Sequence, residues 1–160
     1  MPMLKEILNL EKGTVLLTGN AKKLGRIYLK SWLNRGLRVL AEGMPFELSS
    51  ENLFIGSPYE GFSFDAYLIL NPLSRPKPER EKLRRWLEEH RDRLFLLYEH
   101  RYVKDSITRY GIKELIDYLI AYRRETVGFE RVDVYKLEKG KIIERKSYIR
   151  RTPDEERFRV

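Results

Sequence analysis

Three groups of side chains in this sequence have the types and spacing to do chemistry. Lys22, Lys23 and Arg26 crowd the stretch that leads into a helix. Cations there, added to the positive end of the helix dipole, can hold an anion such as a phosphate. The same residues also fit a basic loop at a surface turn. The second group is Lys139, Lys141, Arg145, Lys146, Arg150 and Arg151, with Tyr135, Tyr148 and Phe158 nearby. Lys and Arg neutralise phosphates and aromatic rings stack on bases, so this group fits a nucleic-acid contact face. Strand alternation puts Arg145, Ser147 and Ile149 on one face and Lys146, Tyr148 and Arg150 on the other. The plainer account is an edge strand protected by charge, with Glu138, Glu144, Asp154, Glu155 and Glu156 as local ion-pair partners. The third group is the pair Glu99 and His100, at the end of an apolar run. Ligands of open α/β sheets bind at strand carboxyl ends, where such a pair can do acid–base work. Adjacent residues rarely face one another, so a helix-start or salt-bridge role competes with that account.

Other chemistries are excluded by composition. The chain has no cysteine and two histidines, His90 and His100, so neither a thiolate site nor a His-rich metal site is expected. No Ser–His–Asp pattern, paired catalytic carboxylates or dinucleotide fingerprint is visible. The net charge of +8 favours anionic partners, although a charge of about 2 to 8 also serves solubility alone. No apolar run approaches the roughly 20 residues that span a bilayer. Met1 to Lys12 carries Lys5, Glu6, Glu11 and Lys12 with no apolar core, so no signal peptide is expected. Charged residues make up 35% of the chain. Such mixtures are common in proteins from hot environments, where ion pairs cost less to desolvate. The expected source is the cytoplasm of a thermophilic archaeon or bacterium.

The elements that must position these residues follow from apolar patterning. The 160 residues suit one domain, able to bury roughly 70% of the surface its unfolded chain exposes. Leu4, Ile7 and Leu8 predict a helix over Pro2 to Leu10. Buried strands are expected at Thr14 to Thr18, Leu37 to Ala41, Phe64 to Leu70 and Leu94 to Tyr98, with a short one at Asn52 to Ile55. Helices are expected over Leu24 to Asn34 and Glu79 to Arg91. A further amphipathic helix is expected over Ile112 to Arg123, with Ile112, Leu115, Ile116, Leu119 and Ile120 inward. Arg131 to Leu137 and Lys141 to Ile149 flank Glu138-Lys139-Gly140 and predict a β-hairpin. The expected architecture is a single α/β domain over 1–160. It comprises an N-terminal helix (1–12), an α/β core with a mostly parallel sheet flanked by helices (13–125), and a C-terminal antiparallel β-hairpin with its tail (126–160).

In this order the pieces resemble a family. Gly13-Thr-Val-Leu-Leu-Thr-Gly19, then a loop and a helix, looks like the first strand and phosphate loop of RecA-like P-loop ATPases. Leu37-Arg-Val-Leu-Ala-Glu-Gly43 resembles the second strand of the archaeal recombinases RadA and RadB, which a Glu–Gly pair ends. Phe64 to Asn71 occupies the Walker B position. Tyr148-Ile-Arg-Arg-Thr152, with Phe158-Arg-Val160 behind, is similar to the closing strands of KaiC-like domains. The resemblance covers about Gly13 to Val160.

The departures from that pattern bear on activity. A working loop reads G-x-x-x-x-G-K-S/T, with lysine on the β/γ-phosphates and a hydroxyl on Mg²⁺. Here the stretch from Gly19 through Lys22, Lys23 and Gly25 is one residue longer, Arg26 replaces the lysine, and Ile27 replaces the hydroxyl. Asn71 stands where the Walker B aspartate belongs. The resemblance therefore implies a degenerate phosphate loop (Gly19, Lys22, Lys23, Gly25, Arg26) and no catalytic or metal site. Glu42 is the residual acidic position, which in the family orients the attacking water; a solvated or ion-paired residue kept by descent is the competing account. The implied function is that of a non-catalytic RecA/KaiC-like accessory or assembly subunit in DNA or RNA transactions. Its nucleic-acid contacts would be Lys141, Arg145, Lys146, Arg150 and Arg151. Partners would be nucleic acid or a RecA-like paralogue, in homo- or hetero-oligomers, with no membrane and no bound cofactor. Two alternatives stay open. One is a small nucleotide-binding regulator or residual ATPase that takes ATP or ADP through Lys22, Lys23, Arg26 and Glu42. The other is a protein-only scaffold with the old cleft plugged by Arg26 or Tyr28.

Overall fold

The computed structural model describes residues 2–60, 63–102, 111–126 and 128–151. The tail from Thr152 to Val160, with Phe158 and the acidic residues Asp154, Glu155 and Glu156, lies outside the described residues. The elements in chain order are α1 (Pro2–Leu8), β1 (Gly13–Thr18), α2 (Lys22–Asn34), β2 (Val39–Ala41), β3 (Leu53–Ile55), β4 (Ala66–Leu70), α3 (Lys77–Glu89), β5 (Leu94–Glu99), β6 (Tyr118–Thr126), β7 (Phe129–Glu138) and β8 (Lys141–Arg151). The strands form one sheet in the order β3-β2-β4-β5-β1-β6-β7-β8. Strands β1 to β6 pair in parallel, and β6, β7 and β8 pair antiparallel. The expected α/β architecture, mostly parallel and closed by an antiparallel hairpin, is the one observed.

Helices cover both faces because the central strands are apolar on both. On one face Leu4 and Ile7 of α1 and Leu24, Tyr28, Leu29 and Trp32 of α2 pack on Val15, Leu17, Leu96 and Ile120. On the other, Leu83 and Leu87 of α3 pack on Leu16, Tyr67, Ile69, Phe95 and Leu97. Each large side chain buried in this way contributes about 1.5–3 kcal/mol. The β7–β8 turn places Lys139 at φ 50° and Gly140 at φ 81°. Two successive left-handed residues make the tight hairpin turn that matches strand twist.

The helix expected over Ile112 to Arg123 does not form. Lys113–Leu115 makes a single 3₁₀ turn, and the chain then extends into β6. The apolar spacing that mimics a helix has another origin. Tyr118 and Ile120 face α1 and α2, whereas Leu119 faces the opposite core, so both sides of the strand are apolar. Asp117 fixes the register. Its carboxylate accepts the Thr14 N–H at 2.8 Å, and its own N–H donates to the Thr14 carbonyl at 2.9 Å. The hairpin is thereby continuous with the parallel sheet through β6.

Candidate anion-binding site

α2, which follows β1, packs on one face of the sheet, and Ile112, Leu115 and Ile116, which precede β6, pack on the other. Connections that diverge in this way open a crevice at the strand carboxyl ends. A cavity of about 490 Å³ lies there, within the usual range for ligand sites. Gly19 to Leu24 form one wall. His100 and Tyr102 follow β5, and Tyr122, Arg123, Arg124, Glu130 and Arg150 complete the lining.

The first wall is set by Gly19. Its φ is +97°, and a Cβ on it would lie 2.0 Å from the Tyr122 carbonyl oxygen, so the loop is pressed against the backbone of β6. The Gly19 N–H donates to the carbonyls of Glu99 (2.9 Å) and Arg101 (3.2 Å), and the Ala21 N–H to Gly19 (2.8 Å). Two loop amides are thus already bonded within the chain. α2 begins at once with Lys22, and Ala21 at its N-cap supplies no side-chain acceptor. The exposed Lys22 and Lys23 therefore stand on the first turn, beside backbone N–H groups that have no intrahelical acceptor.

The opposite wall is set by Glu130. It is 5% exposed and accepts the Tyr122 hydroxyl and Arg150 Nε, both at 2.5 Å. This bond orients the Arg150 guanidinium at the cavity. Burial, and then the bond to Glu130, pushes the Tyr122 hydroxyl up to about 12. Arg123 lies over the Tyr102 ring at 5.6 Å. Among the described residues that line the cavity, Lys22, Lys23, Arg123, Arg124 and Arg150 set five cations against the carboxylate of Glu130. A concave surface lined by one sign of charge concentrates counter-ions of the other.

The structure brings together Gly19, Lys22 and Lys23 from the degenerate loop and Arg150 from the hairpin. Other expected site residues lie elsewhere. Gly25 admits the Phe46 ring, which an added Cβ would meet at 3.0 Å, and Arg26 Nε donates to the Glu47 carbonyl at 2.9 Å. Both residues hold the loop after β2 against α2 and do not line the cavity. Tyr28 is buried in the core beneath α2 and does not plug the cavity either. Glu42 accepts the Leu70 N–H at 2.9 Å and pairs with Arg75, which also donates to the Leu70 carbonyl. It ties the ends of β2 and β4 together. Along β8, Lys146 shares the cavity's face, opposite Val134, with Tyr148 between it and Arg150 on that face. Arg145 and Arg151 take the other face, with Arg145 over the Tyr135 ring at 5.6 Å. Lys141 sits beside the β7–β8 turn, nine residues and thus about 30 Å of strand from Arg150.

Glu99 and His100 form a scaffold. Buried Glu99 accepts the Leu73 N–H at 3.0 Å and the Ser74 hydroxyl, with Arg101 Nε at 3.6 Å. The His100 Nδ1 and Asn71 Oδ1 are 2.8 Å apart. These bonds hold the turn after β4, where Asn71 takes φ 46°. Among the described residues no group of three or more His, Cys, Asp or Glu is placed to hold a metal ion. No described helix is long and apolar enough to cross a membrane.

No family model and no curated protein matches this chain.

Sequence reasoning missed Tyr102, Tyr122, Arg123, Arg124 and Glu130. Arg123 and Arg124 end an apolar run, and in a helix they would be basic residues of its last turn. At the end of a parallel strand the same cations face the carboxyl-end crevice. The signal was present in the residues but attached to the wrong element.

Proposed function

We propose that the chain is a non-hydrolysing accessory protein of RecA- and KaiC-like type that binds single-stranded nucleic acid across the cavity at the carboxyl ends of β1, β5 and β6. The observation that carries this reading is the convergence of Lys22 and Lys23 with Arg124 and Arg150 on one concave surface. Cations so placed contact successive phosphates, and the half-exposed Tyr102 offers a ring for a base to stack on. Lys146 and Tyr148 extend the same face along β8. The absence of hydrolysis rests on Glu42, whose carboxylate is held by Arg75 and the Leu70 amide. It rests also on Asn71, which in the RecA-like pattern stands where the magnesium-binding aspartate is required. A RecA-like paralogue is the proposed protein partner.

The test is a fluorescence titration with a labelled single-stranded oligonucleotide at two salt concentrations. Four phosphate contacts give a slope of log K against log salt of about −3, at roughly 0.7 per phosphate. Binding insensitive to salt contradicts the reading. A second reading, a nucleotide-binding regulator, is favoured by the closeness of Lys22 and Lys23 to the start of α2. It requires Mg·ATP to raise the melting temperature and Lys22→Gln with Lys23→Gln to abolish the rise. Arg26→Ala leaves it unchanged, because Arg26 is turned to Glu47.

A further inference from the structure

β8 is an eleven-residue strand at the edge of the sheet, and its outer side pairs with no other strand among the described residues. From Glu144 to Arg151 its register against β7 runs without a shift, so that edge is regular enough to template another strand. Ile143 and Ile149 on it are 50% and 65% exposed. The opposite edge, β3, has only three residues.

We infer that β8 pairs antiparallel with β8 of a second copy of this chain, about a twofold axis through Ser147. Charge selects the occupant and the register. In a self-paired antiparallel strand one residue faces its own copy, and the residues on either side face each other in mirror order. Five registers pair seven or more residues of β8, centred on positions 144 to 148. Centring on Glu144, Arg145 or Lys146 sets that charge against itself. Centring on Tyr148 sets Lys146 against Arg150 and Arg145 against Arg151. Like charges directly opposite destabilise a sheet. Centring on Ser147 alone avoids all of these. It places Glu144 opposite Arg150 twice and Lys146 opposite Tyr148 twice. It also places Ile149 and Ile143 opposite the aliphatic stems of Arg145 and Arg151. A guanidinium has five N–H donors, so Arg150 bonds Glu144 of the second copy while its Nε stays with Glu130. Such an axis is normal to the sheet, so both cavities open on the same face of one continuous sheet.

This inference shares Arg150 with the proposed nucleic-acid face but does not rest on that reading, and it is tested without nucleic acid. Sedimentation of the full chain is expected to give twice the 19.2 kDa chain mass across a dilution series. The chain has no cysteine, which makes single thiols informative. Ser147→Cys faces its own copy at about 4.5–5.5 Å between Cα atoms, within disulfide reach, and is expected to cross-link under mild oxidation. Arg145→Cys lies about 14 Å from its copy and is expected not to. Ser147→Cys gives up a hydrogen bond to Asp133. Exposed Glu144→Arg therefore supplies a second arm, expected to yield a folded monomer. A monomeric wild type, a mass that grows beyond the dimer, a cross-link at Arg145→Cys, or a dimer that survives Glu144→Arg each overturns the inference.

Discussion

A Cβ placed on Gly19 would sit 2.0 Å from the carbonyl oxygen of Tyr122. The loop after β1 and the backbone of β6 thus touch at a point where no side chain fits, and that contact closes the floor of the cavity. Gly19→Ala must move one backbone or the other, and it also places alanine at φ +97°. The expected loss is about 2–4 kcal/mol, seen as a melting temperature lower by roughly 6–12 °C. Thermal unfolding followed by circular dichroism checks it.

Arg150 and Lys146 lie on the same face of β8 but differ in what they hold. Arg150 is the cation on buried Glu130, whereas Lys146 is exposed opposite Val134. Arg150→Ala removes a charge-assisted bond from buried Glu130 and is expected to lower stability by about 1–2 kcal/mol, discounted because the guanidinium is half exposed. Lys146→Ala is expected to leave stability unchanged. Denaturant midpoints of the two variants, measured side by side, separate these roles.

Glu42 is a structural carboxylate. Glu42→Ala strips the Leu70 N–H of its side-chain acceptor and Arg75 of the Glu42 carboxylate. A loss of about 1–3 kcal/mol is expected, with oligonucleotide affinity unchanged. Unaltered stability joined to altered affinity would return Glu42 to the site.

Stability is expected to fall as pH rises from 10 to 12. Burial first, and then bonds to Glu6 and Glu130 respectively, pushes the Tyr118 and Tyr122 hydroxyls from 10 up to about 12. Below pH 10 both folded and unfolded chains keep these protons, and nothing is lost. Above pH 10 the unfolded chain releases them while the folded chain does not, which favours unfolding until the folded groups titrate near 12. Melting temperature against pH should decline in that window, and Tyr118→Phe should make the decline shallower.

Most of the parallel sheet was legible in the sequence because its strands are continuous apolar runs between glycines and prolines. Leu94–Glu99 and Ala66–Leu70 are buried along almost their whole length. β6 was not legible, because an apolar run buried on both sides carries no alternation to set it apart from a helix. That one error hid half of the cavity wall, since Tyr122, Arg123 and Arg124 reach the crevice only as the end of a strand. Motif spacing also misled at Arg26. Matching it to the lysine of a phosphate loop ignored α2, which starts four residues earlier and turns Arg26 toward Glu47.

The most direct test of the central claim is the affinity of a labelled single-stranded oligonucleotide at two salt concentrations, for the wild-type chain and for Lys22→Gln with Lys23→Gln. The account predicts salt-sensitive wild-type binding, with affinity reduced and the salt slope shallower by about 1.4 in the variant, roughly 0.7 for each phosphate contact removed. Equal affinity and equal slope in the two proteins would contradict it.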